Sequence, residues 1–444
     1  MKLGLPLVGT QIAQIMIGVT DTVMIGWLGA RELAAATLGA NAFFVALMLG
    51  SGFAFAVMPV VAQARGRSDD RTVRRALRMA IWLVLAYSAL LMAPLWMIEP
   101  ILNAMGQEPE VSELAADYSR IMQWTLFPML CVMTARSFLS ALEHPRPALI
   151  ATIVAAVANA PLNYALIFGH WGAPRLELQG AAIASILSAC TSLAIILAYI
   201  SWAPALRRLE LLVRPFRPDW EATREIIHLG WPISLTVIAE IGMFSASSIM
   251  MGWVGTIALA AHGIALQLAS LIFMVPLGLA SAATVHVGSA VGRGHGRDVL
   301  LAAYAVSAIG AAVAVLGAAC FLLVPYPLVR IFLDMANADA ADVEAYAVTL
   351  LAIAAAFQLV DGLQALASGL LRGLKDTRTP MILAVISYWI IGIPAAWWLG
   401  FPGGFAGAGI WAGLAIGLAC AAILLTMRFF LMTRKFARIP AAVA

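Results

Sequence analysis

Long apolar stretches separated by short polar segments are the dominant pattern along this chain. An α-helix rises about 1.5 Å per residue, so roughly 20 apolar residues cross the hydrocarbon core of a bilayer. Twelve stretches are long enough, and the predicted spans are residues 5–28, 34–63, 78–102, 117–142, 147–168, 180–203, 226–254, 260–290, 299–332, 343–373, 379–400 and 407–433. The sequence therefore predicts an all-α integral membrane protein with twelve transmembrane helices.

Composition supports the membrane assignment and limits the functions that fit. Hydrophobic residues make up 63% and charged residues 11% of the 444 positions, whereas soluble domains carry roughly 25% charged residues. The longest polar connection, residues 204–225, is too short for a soluble catalytic domain. The sequence also contains no HExxH or GxSxG motif. We therefore expect no enzymatic activity and no cofactor, with the lipid bilayer as the environment and no nucleic-acid partner.

Basic residues concentrate on one side of the predicted topology. The arginine-rich loop from Arg65 to Arg78, the connection at residues 204–225 and the end of the chain all fall on that side. The opposite connections hold acidic clusters such as Glu108 and Glu110. By the positive-inside rule, both termini are predicted to be cytoplasmic. A surface patch for nucleic acid or anionic lipid is the alternative interpretation of the arginine-rich loop, and a topology-setting role is the interpretation we prefer.

The two halves of the chain resemble one another. Shifted by 226 residues, Gly26-Trp27-Leu28-Gly29 aligns with Gly252-Trp253-Val254-Gly255, and the register holds without a gap as far as Gly66-Arg67. Each half has six spans, so the halves are parallel repeats, predicted as lobes at residues 1–203 and 226–444 joined by a cytoplasmic linker at 204–225. Two facing six-helix bundles enclose a central cleft and give alternating access when they rock. This organisation is typical of transporters.

Three acidic residues, Asp21, Glu240 and Asp361, lie deep inside predicted spans. A charged group at the bilayer centre costs roughly 2.5 to 3.5 kcal/mol on insertion scales. We expect no basic residue at that depth, so each carboxylate must be protonated, bind a cation or face water. The three acids therefore predict a cation pathway. For each of them, a protonated acid that only hydrogen-bonds neighbouring helices is the alternative.

Other polar residues share helix faces with these acids. Gln11, Gln14 and Asp21 lie on one stripe of span one, and the repeat register aligns Gln14 with Glu240. Span five carries Asn159 and Asn163 on either side of Pro161, whose missing N–H frees a carbonyl for ligation; bridging helices around the proline is the alternative role. Further candidates are Met243 on span seven, His262, Gln267 and His286 on span eight, and Phe357, Gln364 and Ser368 on span ten. For the two histidines we prefer a packing or hydrogen-bonding role to proton transfer.

These residues resemble the multidrug and toxic compound extrusion transporters, in particular their NorM-type branch. The resemblance covers nearly the whole chain, and its most specific segments are Asp21-Thr22-Val23-Met24-Ile25-Gly26, Ala260-Ala261-His262, Pro276-Leu277-Gly278 and Leu371-Arg372-Gly373-Leu374-Lys375-Asp376. The resemblance implies a V-shaped pair of six-helix bundles in the bacterial cytoplasmic membrane. It also implies export of organic cations and hydrophobic drugs by antiport against Na⁺ or H⁺, by a protein expected to be a monomer.

The same resemblance assigns roles to individual residues. It implies a coupling-cation site in the C-terminal lobe at Glu240 and Asp361, with Phe357 where some relatives have Tyr. It implies a second cation or proton site in the N-terminal lobe, formed by Asp21, Asn159, Asn163 and Ser185. Gln11, Gln14, Met243, Gln267 and Gln364 are the predicted substrate-cleft residues. The alternative function is a flippase for lipids or lipid-linked glycans, which usually requires basic groups in the cleft; Arg136 is the nearest candidate.

Overall fold

The computed structural model describes residues 4–207, 209, 218–334 and 339–436, and these residues contain helices and no strand. The chain divides into two compact units, Met1–Ser234 and Leu235–Ala444. The predicted lobe boundaries stay a prediction, because residues 208 and 210–217 of the predicted linker lie outside the described residues.

The first unit consists of helices whose ends lie close to the loops predicted from the sequence. They are α1 Gly4–Gly26, α2 Ala30–Gly66, α3 Asp70–Trp96, α4 Ile98–Ala104, α5 Pro109–Met122, α6 Leu126–Ala141, α7 Arg146–Phe168, α8 Glu177–Trp202, α9 Pro204–Arg207 and α10 Trp220–Val254. A 3₁₀ turn, Gln123–Thr125, joins α5 to α6. The long α10 contains the boundary between the units.

The second unit contains the C-terminal part of α10 and a similar succession of helices. These are α11 Thr256–Arg293, α12 Gly296–Leu323, α13 Pro325–Arg330, α14 Ala340–Gly373, α15 Arg378–Val385, α16 Ile393–Gly400 and α17 Ala406–Phe436. Between α15 and α16 the backbone is a π-helix, Ile386–Gly392. π-Helical turns are rare and often occur at functional sites.

Eleven helices in the described part of the chain are long and apolar enough to cross a membrane. The remaining predicted span, residues 117–142, corresponds to α5 and α6, which the 3₁₀ turn divides into two shorter helices. Large apolar side chains such as Leu90, Val157 and Leu316 are about 70% exposed. In water that exposure would be unfavourable, whereas lipid tails accept it, so this is a multi-pass membrane protein.

The internal repeat is visible in the backbone at two corners. Gly29 joins α1 to α2 with φ at 154°, and Gly255 joins α10 to α11 with φ at 148°. These glycines are 226 residues apart, and a side chain would strain the backbone at either position. The same tight corner therefore begins the second helix of each half, as the sequence register predicts.

Close helix packing builds the interior of the second unit. Thr284 on α11 donates a 2.8 Å hydrogen bond from Oγ1 to the carbonyl oxygen of Gly369 on α14. A side chain at Gly369 would collide with the backbone of Ala280, so the glycine permits this approach. Because α11 and α14 are locked together there, the polar residues of α14 are held at defined positions inside the unit.

Candidate cation sites in the two units

Asp21 is the centre of a polar cluster inside the first unit. Asn163 and Asn159 on α7 donate from Nδ2 to its Oδ1 at 2.5 Å and 3.0 Å, and Ser185 on α8 donates from Oγ to its Oδ2 at 3.0 Å. Both asparagines are fully buried and Ser185 is buried, while Asp21 on α1 is half-buried. The structure thus brings together the four residues predicted for the N-terminal lobe. Their role as a cation or proton site stays a prediction.

The hydrogen bonds around Asp21 can accommodate both an ionised carboxylate and one that a proton or cation has neutralised. Three donors facing one carboxylate stabilise its ionised form. Asn163 also donates to Asn159 Oδ1 at 3.2 Å, and Asn163 Oδ1 is buried without a hydrogen-bond partner among the described residues. A rotation of the amide would exchange its donor for this acceptor oxygen, which is what a protonated carboxyl group or a bound cation requires.

Asp361 and Glu240 form the corresponding pair in the second unit. Asp361 on α14 is buried, and its Oδ1 has no hydrogen-bond partner within the described residues. Glu240 on α10 is half-buried and close enough to interact electrostatically with Asp361. Two carboxylates sharing a poorly solvated space repel one another unless a proton or cation lies between them. The arrangement can therefore hold a monovalent cation.

A packed aromatic cluster surrounds Phe357, which lies one helical turn before Asp361 on α14. Phe357 is 2% exposed, and its ring centroid lies 5.2 Å from Trp411 and 6.1 Å from Phe244. Trp411 also donates from Nε1 to Nδ1 of the buried His262 at 3.1 Å. The ring predicted to face the cation is therefore fixed by a packed aromatic cluster.

The expectation that no basic residue reaches the depth of the buried acids was wrong. Arg372 is half-buried near the end of α14 and interacts electrostatically with Glu240. In the first unit, Arg136 on α6 is 7% exposed and donates from Nη1 to Gln14 Oε1 at 2.7 Å. The sequence placed both arginines near the cytoplasmic ends of their spans, but it cannot show how far a long side chain extends back into a helical bundle.

Tyr388 is a further candidate residue that the sequence did not predict. It is fully buried in the π-helix, within electrostatic reach of Glu240, Asp361 and Arg372. The adjacent Trp389 donates from Nε1 to the carbonyl oxygen of Ala239 at 3.0 Å, which ties this segment to α10 beside Glu240. The sequence did contain one signal for this residue, because Ser387 and Tyr388 form a polar pair in an otherwise apolar span.

The predicted substrate-cleft residues occupy different environments. Gln11 and Gln14 are half-buried on α1, and Gln267 is exposed on α11. Met243 is fully buried on α10, and Gln364 is 2% exposed on α14 with its Oε1 unpartnered in the described part of the protein. Their role in substrate binding stays a prediction.

Side-chain chemistry at these sites suits a proton or an alkali cation. Across the residues that the structure describes, no group of three or more His, Cys, Asp and Glu side chains is placed to hold a metal ion. The ligands available at the two sites are carboxylate, amide and hydroxyl oxygens. Hard oxygen ligands of this kind suit hard cations rather than transition metals.

Known proteins resemble this chain over almost its whole length. The MatE family model matches residues 6–165 and 232–398. The "Probable multidrug resistance protein NorM" of Rhizobium meliloti (strain 1021) is 52% identical over 440 residues, covering 99% of this chain and 94% of that protein. The protein of the same name from Agrobacterium fabrum is 46% identical, covering 98% and 93%.

Several solved structures resemble the fold of this chain. A multidrug resistance MATE family transporter of the MOP superfamily, in an outward-facing conformation, gives a TM-score of 0.89 at 20% identity, covering 99% of this chain and 96% of that chain. The eukaryotic MATE transporter AtDTX14 gives 0.85 at 19% identity, covering 98% and 96%. The likeness to these structures concerns the fold alone. Together with the family model and the close relatives, it shows that the chain belongs to the MatE family, the multidrug and toxic compound extrusion transporters, and is a transporter rather than an enzyme.

Proposed function

We propose that this protein exports organic cations and hydrophobic drugs in exchange for Na⁺ or H⁺, by alternating access in the bacterial cytoplasmic membrane, with both termini cytoplasmic. The observation that carries the proposal is the pair of carboxylate sites inside the membrane-spanning units, at Asp21 and at Glu240 with Asp361. The relatives named for multidrug resistance support the substrate class.

The chemistry of exchange follows from the cost of buried negative charge. Asp361 Oδ1 has no hydrogen-bond partner among the residues that the structure describes, and Asp361 interacts electrostatically with Glu240, so a negative charge there is unfavourable unless a cation or proton neutralises it. A coupling ion that binds there from outside removes the charge that would hold a cationic drug, so ion binding favours drug release. When the ion leaves on the cytoplasmic side, the carboxylates attract the next drug molecule.

The test is efflux of a cationic dye from proteoliposomes with an inward-directed Na⁺ gradient and an inward-directed proton gradient imposed in separate experiments. Glu240→Gln and Asp361→Asn are expected to abolish efflux under whichever gradient drives the wild type. Asp342→Asn is the matched control, because Asp342 is an exposed carboxylate on the same helix as Asp361. Wild-type efflux by both Glu240→Gln and Asp361→Asn would contradict the proposal.

A flippase for lipids or lipid-linked glycans is the second candidate, and the buried guanidinium of Arg136 is the observation that favours it. A basic group inside the membrane can receive a lipid phosphate. The two acidic sites favour the drug exporter, because carboxylates repel phosphate. Movement of a fluorescent phospholipid between leaflets of the same proteoliposomes, in the absence of dye efflux, would select the flippase.

A further inference from the structure

We propose that a cavity at one end of α7 and α8 binds a membrane phospholipid whose headgroup carries a primary ammonium group, such as phosphatidylethanolamine. The cavity has a volume of about 580 Å³ and lies within the first unit. The ligand is a lipid that stays with the protein and is not transported, so the inference goes beyond the proposed export function. The residues around the cavity that bear on the proposal are Glu143, His144, Arg146, Ile150, Ile195 and Tyr199.

The cavity lies at the level where lipid headgroups are found. α7 begins at Arg146 and the adjacent α8 ends at Trp202, so these two helix ends lie on the same side of the membrane, the side predicted to be cytoplasmic. Tyr199 lines the cavity, and Trp202, three residues further along α8, is 80% exposed. Tyrosine and tryptophan are enriched at membrane–water interfaces, because each combines an apolar ring with a polar group. The polar end of the cavity is therefore placed beside the lipid headgroups.

The lining of the cavity changes from polar to apolar toward the bilayer centre. Ile150 lies one helical turn after Arg146 on α7, and Ile195 lies one turn before Tyr199 on α8. Both isoleucines are therefore deeper in the membrane than the polar residues. A phospholipid has the same order of groups, with its headgroup at the interface and its acyl chains toward the centre. A free phosphate ion would leave the apolar end of the cavity unfilled, so this order favours a lipid.

The loop that forms the polar end of the cavity is held by contacts on both sides. Arg65 at the end of α2 donates from Nη1 to the carbonyl oxygen of Leu142 at 2.6 Å. Across the cavity, Tyr199 Oη lies 3.5 Å from Nδ1 of His144. Between these two contacts, Glu143 adopts the left-handed conformation, with φ at 63°. The charged side chains at this end therefore project from a backbone of defined shape, which lowers the cost of ordering them around a ligand.

Two side chains of opposite charge line the polar end of the cavity without pairing. Glu143 and Arg146 are both exposed, and neither forms a hydrogen bond or ion pair with the other or with any other described side chain. Their hydrogen-bonding groups therefore remain available to a ligand. The guanidinium offers N–H donors that suit a phosphate, and the carboxylate offers acceptor oxygens that suit an ammonium group.

This pair of charges selects the headgroup. In phosphatidylethanolamine, the phosphate accepts from Arg146 and the primary ammonium donates to Glu143, so both charges are satisfied. Phosphatidylglycerol also offers a phosphate, but it has no amine and its negative charge is repelled by Glu143. The trimethylammonium group of phosphatidylcholine is positive but has no N–H to donate to Glu143. The cavity therefore favours a zwitterionic headgroup with a primary amine.

The test is competition between lipids for the purified protein. The delipidated protein in detergent is mixed with equal amounts of dioleoyl phosphatidylethanolamine, phosphatidylglycerol and phosphatidylcholine, and the bound lipids are counted by native mass spectrometry. The wild type should retain phosphatidylethanolamine severalfold more than either of the other two lipids. Its melting temperature should also rise as phosphatidylethanolamine is added, because a ligand that binds only the folded state stabilises that state.

Two variants test the two charges separately. Arg146→Gln removes the donors for the phosphate, so retention of phosphatidylethanolamine should fall about fivefold or more, the usual effect of losing a charge-assisted hydrogen bond. Glu143→Gln removes the acceptor for the ammonium group and the repulsion of an anionic headgroup, so the preference should change to phosphatidylglycerol. Arg71→Gln is the matched control, because Arg71 is an exposed arginine on α3 of the same unit and does not line the cavity; it should leave the preference unchanged.

Several results would overturn the inference. It fails if the wild type retains no lipid, retains the three lipids equally or prefers phosphatidylglycerol, or if Arg146→Gln and Glu143→Gln both keep the wild-type preference. Loss of the preference in Arg71→Gln as well would assign it to the basic surface as a whole and reject the cavity. Full displacement of phosphatidylethanolamine by inorganic phosphate would identify a free anion as the ligand and also overturn the inference. No readout uses efflux, so failure of the proposed export function would leave the lipid site intact.

Discussion

Asn163 donates the shortest hydrogen bond at Asp21, 2.5 Å from Nδ2 to Oδ1. Hydrogen bonds to charged groups contribute about 1.5 to 3 kcal/mol. The loss of this bond should therefore change the affinity of the Asp21 carboxylate for a cation or proton measurably. We predict that Asn163→Ala slows gradient-driven dye efflux about tenfold or more. The measurement is the initial rate in proteoliposomes, normalised to the amount of reconstituted protein.

The control for this prediction is Asn103→Ala, because Asn103 is an exposed asparagine of the same unit. The alternative role for Asn159 and Asn163 is to bridge helices around Pro161. In that case Asn163→Ala would lower the melting temperature, while the concentration of coupling ion that gives half-maximal efflux would stay at the wild-type value. That outcome would contradict a role in cation or proton binding.

A second prediction concerns the aromatic residue one turn before Asp361. Phe357→Tyr adds a hydroxyl group to a side chain one helical turn before Asp361, whose Oδ1 is unpartnered among the described residues. Oxygen is the ligand that Na⁺ prefers over an aromatic ring, so the half-saturating Na⁺ concentration should fall severalfold if Na⁺ is the coupling ion. If protons drive efflux, the half-saturating proton concentration should stay close to the wild-type value. A proton binds to a single acceptor oxygen, so an additional hydroxyl ligand does not increase its affinity.

The measurement is dye efflux at graded Na⁺ concentrations with the pH held equal on both sides. Phe244→Tyr is a useful comparison, because Phe244 belongs to the same aromatic cluster but lies on α10 rather than α14. If both tyrosines changed Na⁺ dependence equally, the effect would reflect repacking of the cluster, and the assignment of position 357 as a ligand position would be rejected.

The sequence predicted the elements of this fold well because they depend on local and repeated patterns. Hydropathy located the spans, and the register of 226 residues predicted that Gly29 and Gly255 occupy equivalent corners. The resemblance to a family added the grouping of Asp21 with Asn159 and Asn163, which the structure brings within hydrogen-bonding distance. Hydropathy alone carries no information on which helices meet.

What the sequence could not predict depends on helix rotation and on the reach of long side chains. Arg136 donates a hydrogen bond to Gln14 although 122 positions separate them in the sequence. Arg372 interacts electrostatically with Glu240, which is even further away in the sequence. Both arginines lie near polar loops in the sequence, which favours a topology-setting role. The π-helix that places Tyr388 also has no clear sequence signature, because an extra residue in one helical turn does not alter the apolar pattern.

A third prediction concerns stability at the beginning of α10. Arg75 forms a bidentate ion pair with Asp219, in which Nε donates to Oδ2 and Nη2 donates to Oδ1 at 2.8 Å. Asp219 also caps α10, because its Oδ1 accepts a hydrogen bond from the backbone amide of Ala222 at 3.2 Å. The hydrogen bonds from Arg75 hold the pKa of Asp219 below its usual value of 3.8. At neutral pH, Asp219→Asn should therefore destabilise the protein by about 1 to 2 kcal/mol.

The pH dependence of this effect has a definite sign. A carboxyl group with a lowered pKa in the folded state contributes stability above its unfolded pKa and loses it as the pH falls through the folded value. The melting temperatures of wild type and Asp219→Asn should therefore differ at pH 7 and converge below about pH 4. Glu221→Gln is the control with a smaller expected effect, since Glu221 also contacts Arg75 but its side chain is 86% exposed. A difference that persists unchanged into acid would contradict the ionic origin.

The fourth prediction concerns His262, whose two ring nitrogens have different partners. The indole of Trp411 can only donate, so Nδ1 of His262 accepts and its proton lies on Nε2, which is 3.1 Å from Ser248 Oγ. The imidazole is therefore held neutral, and a second proton would break the bond to Trp411. Because the Trp411 ring packs against Phe357, we predict that His262 positions the aromatic cluster of Phe357 and Trp411 and does not transfer protons.

We predict that His262→Leu raises the half-saturating coupling-ion concentration about fivefold, because one neutral hydrogen bond contributes about 1 kcal/mol to holding Trp411 in place. The shape of the pH–efflux curve should match the wild type. Trp411→Phe should reproduce the effect, and Trp398→Phe, a change at a 59% exposed tryptophan of the same unit, should not. A proton relay would behave differently, since removing its imidazole would change the pH at which efflux is half-maximal. Such a change in His262→Leu, absent in Trp411→Phe, would show that His262 transfers protons and would overturn the positioning role.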